Sequence, residues 1–200
     1  MEHDISDEQS LASNKMNFII AVCAILISIA SFYATYLQAK SAEQQVKAMT
    51  YPLIQYSSSN YDPNIEQSVL SLNLSNHGVG PAILKQAKFR YEGNDYQTIW
   101  EFLRACCLAE LEKYASDENR PKVPVEAQIM TSSVSNVILP INDKIEIFSM
   151  RHNESNTELW KKLNEERFKL KVSSCYCSLL DSCYISEGVG IVEEVKVCSD

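Results

Sequence analysis

The chain is short of the residues that usually mark chemistry or repetitive structure. Five glycines and six prolines in 200 residues exclude collagen-like and low-complexity material. Basic residues are also scarce. Eighteen Lys and Arg face 26 Asp and Glu, a net charge of −8, which excludes the broad basic face that nucleic acid requires. The three histidines, His3, His77 and His152, stand alone, with no H-E-x-x-H pair. There is no P-loop, no G-x-S-x-G, no G-x-G-x-x-G and no C-x-x-C. The paired carboxylates Glu165-Glu166 and Glu193-Glu194 lie in polar stretches and read as solvated faces. The chain therefore reads as a non-enzyme without cofactor or metal. Apolar residues are not scarce: 46% hydrophobic against 22% charged excludes a disordered chain.

Lys15 and Lys40 bracket a run with no charge. Residues 16–37 within it would form a helix of about 33 Å, enough to cross a hydrocarbon core of about 30 Å. Tyr33 and Tyr36 near one end suit the interface. A cleaved signal peptide fits poorly. Residues 1–15 carry Glu2, Asp4, Asp7 and Glu8 against Lys15, where a basic region belongs. Cys23 lies inside the run, not after it, so a lipoprotein signal fits no better. The expectation is an acidic tail over 1–15 and an uncleaved single-pass anchor over 16–37 that contacts the bilayer. Lys40 and Lys47 on the far flank lean towards a cytoplasmic C-terminal region, whereas the cysteines favour an extracytoplasmic one.

Ala21, Ala24, Ser28, Ser31 and Thr35 recur at steps of three and four, between Asn17 and Gln38. Such a stripe allows close helix–helix approach in lipid, hence a homo-oligomer. Ala and Ser scattered through any membrane helix would look the same.

Residues 38–51 contain good helix formers and no glycine, and read as a helical stalk. Pro52 ends it. From there the hydrophobic period shortens. Candidate strands cover 53–56, 69–75, 82–91, 134–139, 144–150, 168–177, 183–186 and 191–198. Ile99, Trp100, Leu103, Cys107 and Leu111 recur at helical steps over 98–114. A shorter helix is expected over 156–167, capped by Asn156 or Thr157. A charged, proline-punctuated loop covers 116–124. Strands outnumber helices and do not alternate with them. The expected fold for 52–200 is an antiparallel, immunoglobulin-like β-sandwich with one or two inserted helices.

The most specific string is Asn76-His77-Gly78-Val79-Gly80-Pro81-Ala82. Its glycines permit backbone angles closed to other residues, Pro81 fixes entry into the next strand, and Asn76 can bond the turning backbone. The string is either a tight turn between core strands or a ligand loop with His77 at its tip. It resembles a large group of uncharacterised bacterial single-pass membrane proteins. These have an N-terminal membrane helix, a Gln- and Ala-rich stalk and an N-x-G-x-G-P-A turn in a small β-domain. Cys175-Tyr176-Cys177-Ser178 with Asp181-Ser182-Cys183-Tyr184 is similar to a cysteine signature of some members, which carry Trp more often where Tyr184 stands. The resemblance implies a fold and an inner-membrane address, and no activity.

Six cysteines follow the anchor: Cys106, Cys107, Cys175, Cys177, Cys183 and Cys198. An even number at this density suits disulfides in an oxidising compartment. Buried free thiols and a zinc site are the alternatives. Cys177 and Cys183 flank a short turn and can face each other across a hairpin. A helix carrying Cys106 and Cys107 over that face would allow further bridges. The expected role is a membrane-anchored binding or scaffold module for a protein partner. The alternative is a sensory module that binds a small ligand and signals through helix self-association.

Overall fold

The computed structural model describes residues 3–116, 118, 129–188 and 190–198. The expected loop over 116–124 falls outside them, Ser116 and Glu118 excepted. The chain divides into two compact units, 1–47 and 48–200.

The first unit is helical. Helix α1 runs His3–Met49 without a break, because no glycine or proline interrupts it. The helix thus begins inside the expected acidic tail and runs through the expected stalk. Its part from Lys15 to Met49 is long and apolar enough to cross a membrane.

The second unit is mainly β. Strands β1 (Ile54–Ser59), β2 (Val69–Asn76), β7 (Lys144–Arg151) and β5 (Met130–Thr131) form one antiparallel sheet in that order. Strands β10 (Ile191–Val195), β9 (Cys183–Glu187), β8 (Lys171–Cys177), β3 (Ala82–Tyr91) and β4 (Asn94–Tyr96) form the other, with β6 (Val137–Leu139) also on β3. Among the described residues two helices accompany them, α2 (Ile99–Ser116) and α3 (Thr157–Glu166).

One hydrophobic core takes side chains from both sheets and both helices. Leu70, Leu72 and Leu74 on β2 are buried, as their alternation with polar residues requires, each stabilising the fold by about 2 kcal/mol. Phe89 on β3, Phe102 on α2, Phe148 on β7 and Leu163 on α3 close round them.

Local chemistry explains where the elements depart from expectation. Glu92 and Gly93 both take positive φ, 48° and 87°, the two-residue turn that matches strand twist, so Asn94–Tyr96 folds back as a strand. Thr98 and Glu101 form a reciprocal cap at the start of α2. Glu101 N donates to Thr98 Oγ1, and Glu101 Oε2 accepts from Gln97 N and Thr98 N. Asn156 stands at the N-cap of α3, as expected, but its side chain makes no cap bond there; the side-chain cap is one turn earlier, at Asn153. Asn153 Oδ1 accepts from Asn156 N at 3.0 Å at the head of a 3₁₀ turn, Glu154–Asn156, that leads into α3. Phe168 is not in β8 and is 74% exposed, because the chain is still closing the helix end: Arg167 N bonds Leu163 O, and Lys169 N bonds Glu166 O.

Candidate functional site

The glycine turn between β2 and β3 is structural. Asn76 is fully buried, and its amide is saturated. Oδ1 accepts from Gly78 N at 3.0 Å and Leu53 N at 3.2 Å; Nδ2 donates to Gly80 O at 2.9 Å and Leu139 O at 3.2 Å. The turn thereby ties the segment before β1 to the start of β3. The glycines serve close approach, not unusual backbone angles, since neither Gly78 nor Gly80 has positive φ. A Cβ at Gly78 would overlap the backbone of Tyr51, Pro52 and Leu53, and one at Gly80 would overlap Thr50. His77 is exposed at the tip, as expected.

The six cysteines stand as three pairs: Cys106–Cys107, Cys175–Cys198 and Cys177–Cys183. Cys177 and Cys183 are cross-strand partners of the β8–β9 hairpin. The helix cysteines bond each other, so the further bridges to the sheet that the sequence allowed do not form. Cys107 sits at a kink in α2, with non-helical φ −143° and ψ 29°. The sulfurs of Cys177, Cys183 and Cys198 lie within 4.8 Å of one another, the spacing of a thiolate cluster. Each is committed to a disulfide, however, and a disulfide sulfur is not a thiolate ligand.

Glu166 overturns the solvated reading of the Glu165-Glu166 pair. Its neighbour Glu165 is exposed, but Glu166 is 4% exposed and accepts from Lys162 Nζ at 2.7 Å, Lys169 Nζ at 2.7 Å and Tyr91 Oη at 2.8 Å. The hydrogen bonds from Lys162, Lys169 and Tyr91 bring its pKa down to about 2 against the opposing effect of burial. A carboxylate held charged by three donors is a clamp between α3 and β3, not a proton carrier.

The next residue, Arg167, has the opposite surroundings. It is 8% exposed, with Nε donating to Asn164 Oδ1 at 3.1 Å and Nη1 to Ser58 Oγ at 2.8 Å. Its guanidinium lies 4.2 Å from the centre of the Phe168 ring. Among the described residues no carboxylate pairs with it, and its other N–H bonds meet no acceptor. Burial lowers its pKa, the direction of a cation short of counter-charge, with Tyr56 opposing. The Tyr56 hydroxyl is itself buried and makes no well-aligned hydrogen bond; the Ser58 side chain engages it weakly. Burial pushes that phenol up to about 12, while Ser58 and Arg167 pull weakly the other way. Both residues line a cavity of about 420 Å³ with Phe168, Leu170, Val172 and Ser173. That volume is within the range of small-molecule sites. Arg90, Lys171 and Glu187 carry charge at its walls, and Arg90 is neutralised by Asp95 at 2.6 Å.

No family model, curated protein or solved structure matches this chain. Its function has to be argued from its own geometry.

Sequence reasoning missed Arg167 and Tyr56. The one local signal is a basic–aromatic pair, Arg167-Phe168, where a helix gives way to a strand. The convergence of β1 with the end of α3 is long-range and leaves no mark in either segment. The stripe of small residues on α1 has a plain reading in the first unit. Ser28 Oγ donates to Ala24 O at 2.7 Å and Thr35 Oγ1 to Ser31 O at 2.9 Å, so both hydroxyls are satisfied inside the helix. Ala21, Ala24 and Ser31 are exposed on it.

Proposed function

We propose that this chain is a bacterial single-pass inner-membrane protein whose β-domain is a binding module held at the bilayer by residues 16–37. The observation that carries this reading is the Arg167 cavity. A nine-tenths-buried cation without a counter-charge destabilises a fold unless a partner completes it. Among the described residues the strongly shifted carboxylate, Glu166, is locked by three donors and so offers no proton to a reaction. The immunoglobulin-like reading of the fold is supported by strand order. The order β1-β2-β7-β5 facing β9-β8-β3-β4 follows the A-B-E-D and G-F-C-C′ arrangement of such domains.

The β-domain is assigned to the extracytoplasmic side. Three cysteine pairs at bonding distance support an oxidising compartment, and they outweigh the lysine bias of two residues. Fusion of the C-terminus to alkaline phosphatase should give active enzyme, and fusion to a green fluorescent protein no fluorescence. The reverse pattern rejects the assignment. Native mass spectrometry of the full-length protein, released from membranes in mild detergent, tests binding itself. A stoichiometric adduct is expected. Adduct-free protein after gentle release from several growth conditions rejects the binding module.

Signalling through self-association of the helix is the second reading. The satisfied hydroxyls of Ser28 and Thr35 weaken it, because neither needs a neighbouring helix. Ser28→Leu should accordingly leave cross-linked species unchanged.

A further inference from the structure

The cavity also specifies what it would take. We propose that it binds a small organic anion, a single carboxylate carried on a hydrocarbon body. The inference rests on the reading of the β-domain as a binding module and names the ligand class of that site.

Charge comes first. Of the charged groups lining the cavity, Arg90 is held by Asp95, and Lys171 and Glu187 supply one of each sign. Arg167 is left over, which matches one negative charge. The Glu187 carboxylate at the wall works against a dianion such as a phosphate monoester. Geometry comes second. Asn164 and Ser58 hold the guanidinium by Nε and one Nη1 proton, and so fix its plane. One Nη1 proton and both Nη2 protons are left without an acceptor among the described residues, enough donors for the two oxygens of a carboxylate. The buried Tyr56 hydroxyl, which Ser58 engages only weakly, lies in the same wall. Surface chemistry comes third. Phe168 is 74% exposed, yet its ring stacks on the guanidinium at 4.2 Å. An apolar ligand body laid against Phe168 and Leu170 would cover that ring and exclude water from the ion pair, strengthening it.

A structural role for Arg167 makes the contrary forecast on stability. If it served the fold, its removal would cost stability. If it serves a ligand, the empty domain is no less stable without it.

The test is equilibrium dialysis of radiolabelled benzoate against the full-length chain in phosphatidylcholine nanodiscs, with empty nanodiscs as the blank. Benzamide and phenyl phosphate serve as competitors. We expect saturable binding of one benzoate per chain, with benzamide at least about tenfold weaker because it lacks the charge. Arg167→Met should weaken binding at least about tenfold while unfolding at the wild-type temperature or above it. Should that variant fail to fold, Arg167→Lys keeps the charge, loses the planar fork and should still weaken binding several-fold. Benzamide binding as tightly as benzoate overturns the anion and leaves the binding module standing. Phenyl phosphate displacing benzoate with about tenfold higher affinity replaces the carboxylate by a phosphate ester. Equal benzoate binding by wild type and Arg167→Met, or no saturable binding of any probe, overturns the proposal. The binding module is then judged on the native adduct alone.

Discussion

Asn76 and Arg167 are both buried polar side chains of the β-domain, and they differ in how their bonding capacity is used. Asn76 has two donors on its oxygen and two acceptors for its nitrogen, all supplied by backbone. Arg167 has two neutral acceptors, an aromatic face and no counter-ion among the described residues. A buried group whose partners all come from the chain belongs to the architecture. A buried charge that the chain leaves incomplete costs stability, and its persistence needs a reason outside the fold. The glycine turn, the most specific string in the sequence, is thus structural. The Arg167-Phe168 pair, left incomplete by the fold, is the better candidate for binding.

The largest expected effect lies at the complete end of this comparison. Asn76→Ala strands two backbone N–H groups and two carbonyls and should cost about 4 kcal/mol. Gly80→Val should cost at least as much, because its Cβ would fall on the Thr50 backbone. Denaturant titration of the full chain, followed by Trp100 and Trp160 fluorescence, measures both. A loss under about 1 kcal/mol at Asn76 would break the link between saturation and structural role.

Glu166 is charged yet fully partnered, and sharpens the comparison through pH. Its pKa is lowered from 4.5 to about 2 on folding. Between those values the unfolded chain binds the proton and the folded chain does not. Stability from this group is therefore complete above about 4.5 and is lost as pH falls through about 2. Glu166→Gln should cost about 2 kcal/mol at neutral pH and remove that part of the acid dependence. An unchanged acid limb in the variant would show that the clamp does not couple to folding.

How far the sequence disclosed these features follows from the range of the forces involved. Ala82–Tyr91 was legible because its alternation decides which face is buried, and the ten-residue strand appears with the expected bounds. Helix α2 was legible from Ile99, Leu103 and Cys107, all buried. The turn was located correctly but for the wrong reason, since the segment that crowds Gly78 and Gly80 lies some thirty positions earlier. Phe168 was misread because an apolar residue next to a strand looks like its continuation. Only the helix-end bonds of Arg167 and Lys169 hold it outside. The cavity was illegible because Tyr56 and Ser58 meet Arg167 across more than a hundred residues. Periodicity carries no information at that separation.

A smaller effect is expected at Asn153. Its side chain accepts from Asn156 N at 3.0 Å and from the Ser155 hydroxyl at 2.7 Å, and Asn153 N in turn donates to Asn156 Oδ1. Asn153→Ala should cost about 1 kcal/mol, the usual worth of a helix cap. Because α3 ends at Glu166, loosening its start should leave the Glu166 acid limb in place. A variant that loses both together would mean that α3 unfolds as one unit with the clamp.

The smallest effect lies at the incomplete end. The Tyr56 hydroxyl is buried with no well-aligned partner, so the chain has already borne most of its desolvation. Tyr56→Phe keeps the ring and deletes only that group. Its unfolding free energy should be unchanged or higher by up to about 1 kcal/mol, with no ligand present. A loss of about 1 kcal/mol or more would mean that Ser58 or Arg167 bonds the phenol in solution, and Tyr56 would then join Asn76 as architecture. A neutral or stabilising result keeps a loosely held donor beside guanidinium N–H bonds left without an acceptor, which is the arrangement that a carboxylate would complete.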